Sequence, residues 1–171
     1  MAKDRRIALT GFMGVGKSSV ARHLSGILGS GRVDLDAFIE KNEHRTIADI
    51  LNNDGEAAYR TIETTNLERV LSQTQTRILS LGGGTWTLEQ NRELINQHGI
   101  CSVWLESTFD HCWQNISKSR KERPLAKNKD AARRLFDERQ GLYCLAEWHF
   151  IVRSEFTSYD IASQIAEQIF S

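Results

Sequence analysis

The sequence predicts a three-layer α/β sandwich around a central five-stranded parallel sheet, and three observations lead there. Five short apolar runs punctuate the 171 residues, at 7–10, 33–36, 78–81, 100–105 and 150–152. Runs this short and this apolar suit strands buried on both faces of a parallel sheet. The stretches between them carry helical spacing, as parallel neighbours require, because a tight hairpin cannot join them. A glycine-rich turn, Gly11-Phe12-Met13-Gly14-Val15-Gly16-Lys17-Ser18, joins the first run to the first helical stretch.

After the first run, Val20, Leu24, Ile27 and Leu28 share a helical face, and Gly29 and Gly31 supply the stop. With the second run this makes one βαβ unit. Residues 54–71 read as a longer helix inserted before the third run, more than a minimal crossover requires, and so as a substrate-binding arm. Thr87-Leu88-Glu89-Gln90 has the form of a capping box, and the helix it opens is expected to stop at His98-Gly99. Residues 117–130 hold Lys118, Arg120, Lys121, Arg123, Lys127 and Lys129 around the lone proline, Pro124. That composition suits a mobile lid over phosphates, with a plain solvated loop as the alternative. Ile161, Ile165 and Ile169 line one face of the last helix.

Composition narrows the function classes. The chain is 40% hydrophobic and 26% charged, ordinary for one globular domain of this length. Lysine plus arginine balance aspartate plus glutamate at 22 each, so no global field argues for nucleic acid or an anionic membrane. The opening residues run straight into an apolar segment too short for a signal peptide or a membrane span. Cys101, Cys112 and Cys144 show neither CxxC spacing nor a nearby histidine set, and an odd count suits a reducing compartment. The expectation is a cytoplasmic monomer with no nucleic-acid or membrane partner.

The turn at 11–18 fits G-x-x-x-x-G-K-[ST] completely, in the strand-to-helix context that gives the motif its meaning. Its backbone N–H groups can curl around phosphate oxygens at a helix start, Lys17 can reach the β and γ phosphates, and Ser18 can ligate magnesium. Asp34 and Asp36 close the second run. One could hold the magnesium through water and the other accept a hydroxyl proton, or either could simply cap the helix beginning near Ala37. Arg60 has Glu56 and Glu63 at helical spacing, which by itself reads as a surface ion pair. Gly82-Gly83-Gly84 follows the third run and would let a ligand approach the backbone, or would form a flexible turn. Arg139 offers a planar fork for a carboxylate and lies one helical turn before Tyr143; alone it reads as a solvated helix residue. Lys127-Asn128-Lys129-Asp130 lacks the spacer of the guanine-reading N-K-x-D signature, which argues against a GTPase.

In order and separation, GFMGVGKSS, DLD, YRTIE, LGGG, RPL and R-x-x-x-Y resemble the shikimate kinase family over essentially the whole chain. The resemblance implies a P-loop kinase type of fold: one kinase domain over 1–171, with a substrate-binding arm at about 37–73 and a lid at about 117–130. It implies magnesium-dependent transfer of the γ-phosphate of ATP to the 3-hydroxyl of shikimate, on the route to chorismate and aromatic amino acids. By the same resemblance, Gly14, Val15, Gly16, Lys17, Ser18 and Ser19 bind the nucleotide with Arg123 of the lid. Ser18 and Asp34 serve the metal, and Lys17, Asp36 and Arg123 are catalytic, Asp36 as the base. Arg60 and Arg139 hold the substrate carboxylate, Glu63 positions Arg60, and Gly82, Gly83 and Gly84 contact the substrate. That overrides the surface-pair reading of Arg60.

Four positions depart from the family pattern: Tyr59 where phenylalanine is expected, Leu51 in place of an aromatic, Trp86 soon after the glycines, and Ala126 where leucine is common. Adenine contacts are poorly marked, with residues 154–158 and 118–120 as candidates. Gly141 should cost its helix about 1 kcal/mol relative to alanine. The competing readings are a small kinase acting on gluconate or a nucleoside monophosphate, disfavoured by the two arginines and GGG, and a silent nucleotide-binding module, disfavoured by Asp36 and Arg123.

Overall fold

Ile7, Ala8 and Leu9 have no exposed surface, and the strand they form, β1 (Ile7–Thr10), takes the centre of the sheet. The computed structural model describes residues 4–73 and 75–171. Residues 1–3, which belong to the opening segment read above, lie outside it.

β1 is flanked by β3 (Ile78–Ser80) and β4 (Cys101–Glu106), with β2 (Arg32–Asp34) and β5 (Trp148–Ile151) at the edges, in the order β2-β3-β1-β4-β5. All four pairings are parallel. Ile7 stands opposite both Ile78 and Cys101, which sets the register of the three central strands. The chain leaves β1 toward β2 and leaves the adjacent β3 toward β4. Where neighbouring strands send their connections in opposite directions, a crevice opens at their carboxyl ends.

Helix α1 (Lys17–Leu28) buries Val20, Ala21 and Leu24 and ends at Gly29, whose left-handed φ of 59° lets its N–H reach the Ser25 carbonyl. It packs on α8 (Ser158–Phe170), which buries Ile161, Ile165 and Ile169 as the spacing predicts. Thr157 opens α8 with a complete capping box to Asp160.

Four details correct the sequence reading. β2 stops at Asp34, not residue 36, because the Asp34 side chain caps α2 (Leu35–Glu43) through the Ala37 N–H. Asp36 therefore sits in the first turn of a helix. The helix read over 54–71 is one helix but starts at Glu56, as α4 (Glu56–Leu71), because Gly55 with its φ of 89° separates it from a further helix, α3 (Ile47–Asp54). Thr87 does not open a capping box. It ends a short 3₁₀ turn (Thr85–Thr87) and bonds back to the Gly84 carbonyl, and α5 (Glu89–Gln97) starts from Leu88 without a side-chain cap. The helix does stop at His98, ahead of Gly99. Finally, α6 (Phe109–Lys118) and α7 (Lys129–Tyr143) confine the basic loop to residues 119–128, with a 3₁₀ turn at Pro124–Ala126.

α7 runs continuously through Gly141, and a β-carbon built there meets nothing within 4 Å. Gly141→Ala should therefore stabilise the protein by about 0.5–1 kcal/mol, raising the melting temperature by roughly 1–4 °C in a calorimetric scan.

Candidate active site

The glycine-rich turn leaves β1 and delivers α1 with its N-terminus bare: Gly16 caps the helix at a φ of 106° and offers no side chain to the first N–H groups. Those donors stay available to an anion, and the helix dipole favours one. Gly14 is required by space as well as by its φ of 80°, since a β-carbon would lie 2.6 Å from the Cys112 carbonyl oxygen. Residues 14–19 line a cleft of about 580 Å³, together with Asp34, Asp36 and Arg123.

Lys17 folds back over this turn and is nearly buried, its Nζ donating to the carbonyls of Gly11 at 2.7 Å and Phe12 at 3.0 Å. Burial depresses its pKa to about 8, opposed by the Asp36 carboxylate. Ser18 Oγ donates to Asp34 Oδ2 at 2.7 Å, while Asp34 Oδ1 accepts from the Ala37 N–H at 3.2 Å. Asp34 thus caps α2 with one oxygen, the plainest of the readings weighed above, and faces Ser18 with the other.

A second cleft of about 500 Å³ adjoins the first and shares part of its wall: Met13, Asp36, Gly82, Gly83, Lys121 and Arg123 line both. Three charged groups converge here on the glycines after β3. A β-carbon on Gly82 would fall 2.7 Å from Asp36 Oδ1, one on Gly83 would fall 3.3 Å from Arg139 Nη1, and one on Gly84 would fall 2.4 Å from Arg60 Nη2. At Gly82 and Gly84 a charged group occupies the space a β-carbon would need, and at Gly83 the fit would be tight.

Two of these groups each leave one atom without a partner: Asp36 Oδ1 and Arg139 Nη1 are buried and unbonded among the described residues. Buried polar atoms are nearly always satisfied, and an orphan costs roughly 1–3 kcal/mol, so each marks a place shaped for something else. Burial raises the Asp36 pKa, with Lys121 pulling the other way.

Arg60 has two acidic neighbours, and exposure separates them. Glu56 is 56% exposed and 3.5 Å away; Glu63 is fully buried and 2.9 Å away. An exposed pair contributes at most about 1 kcal/mol, whereas breaking a buried one costs roughly 3–5, so Glu63 is the group that holds Arg60. Burial works against the Arg60 charge, but Glu63 outweighs it and keeps the guanidinium pKa above its ordinary value.

With the fold and the two adjoining clefts described, comparison with known proteins is direct. The family model for shikimate kinase matches residues 13–170. The chain belongs to the shikimate kinase family. It is 41% identical to a shikimate kinase of Streptococcus thermophilus over 138 residues, 79% of this chain and 82% of that one. A shikimate kinase of Brucella canis is 34% identical over 152 residues, 87% of this chain and 74% of that one. Among solved structures, the shikimate kinase from Acinetobacter baumannii in complex with shikimate superposes with a TM-score of 0.87 at 32% identity, covering 96% of this chain and 92% of that one. The protein is a kinase, and its α/β sheet with all strands parallel matches the structures of the family.

Within this shikimate kinase fold, every residue named from the sequence as a catalytic, nucleotide, substrate or metal candidate lies at one of the two clefts except Glu63, which sits behind Arg60. Of the four departures, Leu51 lines the second cleft, Ala126 is buried in the loop's 3₁₀ turn, and Trp86 is buried with its Nε1 donating to the Leu142 carbonyl at 2.9 Å. Tyr59 is buried with its hydroxyl on Glu63 at 3.1 Å. Of the two segments named as candidates for adenine, Phe156, Thr157 and Ser158 line the first cleft while residues 118–120 do not, and His111 and Asn115 of α6 line it as well. The sequence reading also missed Lys121 as a site residue. Its Nζ lies 3.4 Å from Asp36 Oδ2, and only its place in a basic run beside Arg123 could have marked it.

Because the Lys17 pKa is depressed to about 8, the free protein loses that charge as pH rises through this value, and an incoming phosphate group should restore it. ATP binding at about pH 8 should therefore take up a proton, and affinity should fall between about pH 7 and 9. Calorimetric titrations in buffers of different ionisation enthalpy would reveal the uptake; heats independent of buffer at pH 8 would contradict it.

Proposed function

We propose that this chain transfers the γ-phosphate of ATP to the 3-hydroxyl of shikimate, with magnesium, in the biosynthesis of chorismate and aromatic amino acids. One observation carries the reading: an orphaned carboxylate oxygen and an orphaned guanidinium nitrogen share a cleft whose wall is continuous with the phosphate cleft. An acceptor fitting there carries a hydroxyl at one end and an anionic group at the other, as a hydroxylated carboxylate does.

The residues then divide the work. Arg139 and Arg60 grip the carboxylate, while Gly82, Gly83 and Gly84 let the ring approach the backbone. Asp36 accepts the hydroxyl proton, and its raised pKa suits a base. The turn at 14–19 cradles the phosphates, with Lys17 and Arg123 facing the transferred group. Phosphoryl transfer is mostly positioning and charge stabilisation, so this convergence of cations is what the step needs. Ser18 and Asp34 present hard oxygens already joined at 2.7 Å, a donor set that fits a magnesium ion keeping much of its water. When bound, the ion would neutralise charge on the phosphates.

Lys121 holds Asp36 through a half-exposed contact at 3.4 Å. Such a pair contributes at most about 1 kcal/mol, so an entering phosphate can draw Lys121 away and free the base. The segment at about 37–73 serves as the acceptor arm and that at about 117–130 as the lid on one kinase domain. The lid already touches the arm, where Asn52 donates to Glu122 at 3.3 Å. The proposal includes a cytoplasmic monomer without nucleic-acid or membrane partners, and the balanced charge of the chain supports the lack of a polyanionic partner. No helix among the described residues is long and apolar enough to cross a membrane.

ADP release from magnesium-ATP should be stimulated by shikimate and much less by gluconate or nucleoside monophosphates; a panel without preference would sink the assignment. Gly84→Ala should displace the Arg60 guanidinium and raise the KM for shikimate by roughly tenfold or more while changing that for ATP less than about twofold. Steady-state kinetics with each substrate varied in turn would check this, and parallel losses would point to misfolding.

A further inference from the structure

The Glu63 carboxylate does more than receive Arg60. Its Oε1 accepts from Arg60 Nη1 at 2.9 Å, and its Oε2 accepts two hydroxyl protons, from Tyr59 at 3.1 Å and Thr85 at 2.8 Å. The terminal torsion of a glutamate is broad, so a carboxylate held through one oxygen can turn. Donors on the second oxygen fix its plane, and the planar guanidinium bonded to the first follows it. Tyr59 acts on Arg60 twice, because its ring also lies 5.1 Å from the guanidinium carbon.

Thr85 is anchored in turn. Asn91 Nδ2 donates to its carbonyl at 3.0 Å, and Thr64 Oγ1 donates to Asn91 Oδ1 at 2.8 Å. Thr64 follows Glu63 on α4, so the chain of bonds runs from α4 through the turn after GGG to α5 and back to α4. Thr85, Asn91 and Glu63 have no exposed surface and Thr64 has 7%, so solvent does not compete for these bonds.

We infer that Thr85 and Tyr59 are positioning residues for recognition of the acceptor's carboxylate, setting through Glu63 the plane in which Arg60 presents its fork. The inference rests on the two-arginine cleft proposed above. Thr85 is not among the residues that line that cleft, and its side chain acts through Glu63. A role confined to holding the fold would lower stability and leave the two substrates' affinities in step. Positioning separates them.

Thr85→Val removes the donor and keeps the shape, Thr85→Ser keeps the donor, and Tyr59→Phe removes the other hydroxyl. Kinetics with each substrate varied, alongside melting temperatures, read the outcome. Thr85→Val should raise the KM for shikimate about tenfold with kcat and the KM for ATP within about twofold, Tyr59→Phe should raise it about threefold, and Thr85→Ser should stay near wild type. Unchanged shikimate KM in both donor-deleted variants would overturn the inference, as would equal losses for both substrates or a serine variant as weak as the valine one. If Thr85→Val does not fold, Tyr59→Phe decides. A wild-type chain that does not turn over shikimate would overturn the proposed function and this inference together; normal wild-type turnover with Thr85→Val and Tyr59→Phe both unaffected overturns the inference alone.

Discussion

Three charged side chains arrive from three different helices at the backbone of three consecutive glycines, and the site depends on that backbone carrying no β-carbon. Asp36 comes from α2, Arg60 from α4 and Arg139 from α7. Each stops where a side chain on Gly82, Gly83 or Gly84 would begin. The loop can be bare because it is braced from outside: Tyr143 donates its hydroxyl to the Gly83 carbonyl, and Thr85 and Thr87 return backbone N–H groups to the carbonyls of Gly82 and Gly84. Glycine ordinarily confers freedom, and here hydrogen bonds remove it.

The same convergence accounts for the electrostatics. The chain carries no net charge, yet Lys17, Arg60, Lys121, Arg123 and Arg139 all line the two adjoining clefts. Gathering cations in a partly dry space costs solvation, as the depressed Lys17 shows. That cost is offset by carboxylates placed at intervals, Glu63 against Arg60 and Asp36 against Lys121. The two differ in kind. The Glu63 pair is buried and short, whereas the Asp36 pair is longer and partly exposed, which is why the proposed function treats the first as a fixed clamp and the second as a releasable one.

Much of this was legible in the sequence because it was local. The glycine-rich turn, the central strands and the apolar stripe of α8 each follow from a short stretch and its period. The errors also have physical causes. Asp34 ends β2 early because one side chain caps α2 while also facing Ser18, and spacing cannot tell an aspartate that ends a strand from one that begins a helix. α4 buries Glu63, Thr64 and Asn66 along with its apolar residues, so its inner face carries little hydrophobic signal. Gly55 was read as lying near the start of one long helix, although its φ of 89° separates that helix from α3. Lys121 and Thr85 escaped notice because their partners, Asp36 and Glu63, are distant in sequence.

Trp86 bonds to Leu142 and Tyr143 bonds to Gly83, which pins the C-terminal end of α7 to the glycine loop. The opposite end of α7 receives the basic loop. At about 1.5 Å per residue, Lys129 lies roughly 21 Å from that pin and Arg139 roughly 6 Å. A lever hinged at this seam sweeps its far end more than three times as far as the arginine near its fulcrum. Under the proposed function, such a pivot would carry the lid over the phosphates while leaving the proposed carboxylate grip of Arg139 nearly in place, so opening one half of the site need not loosen the other.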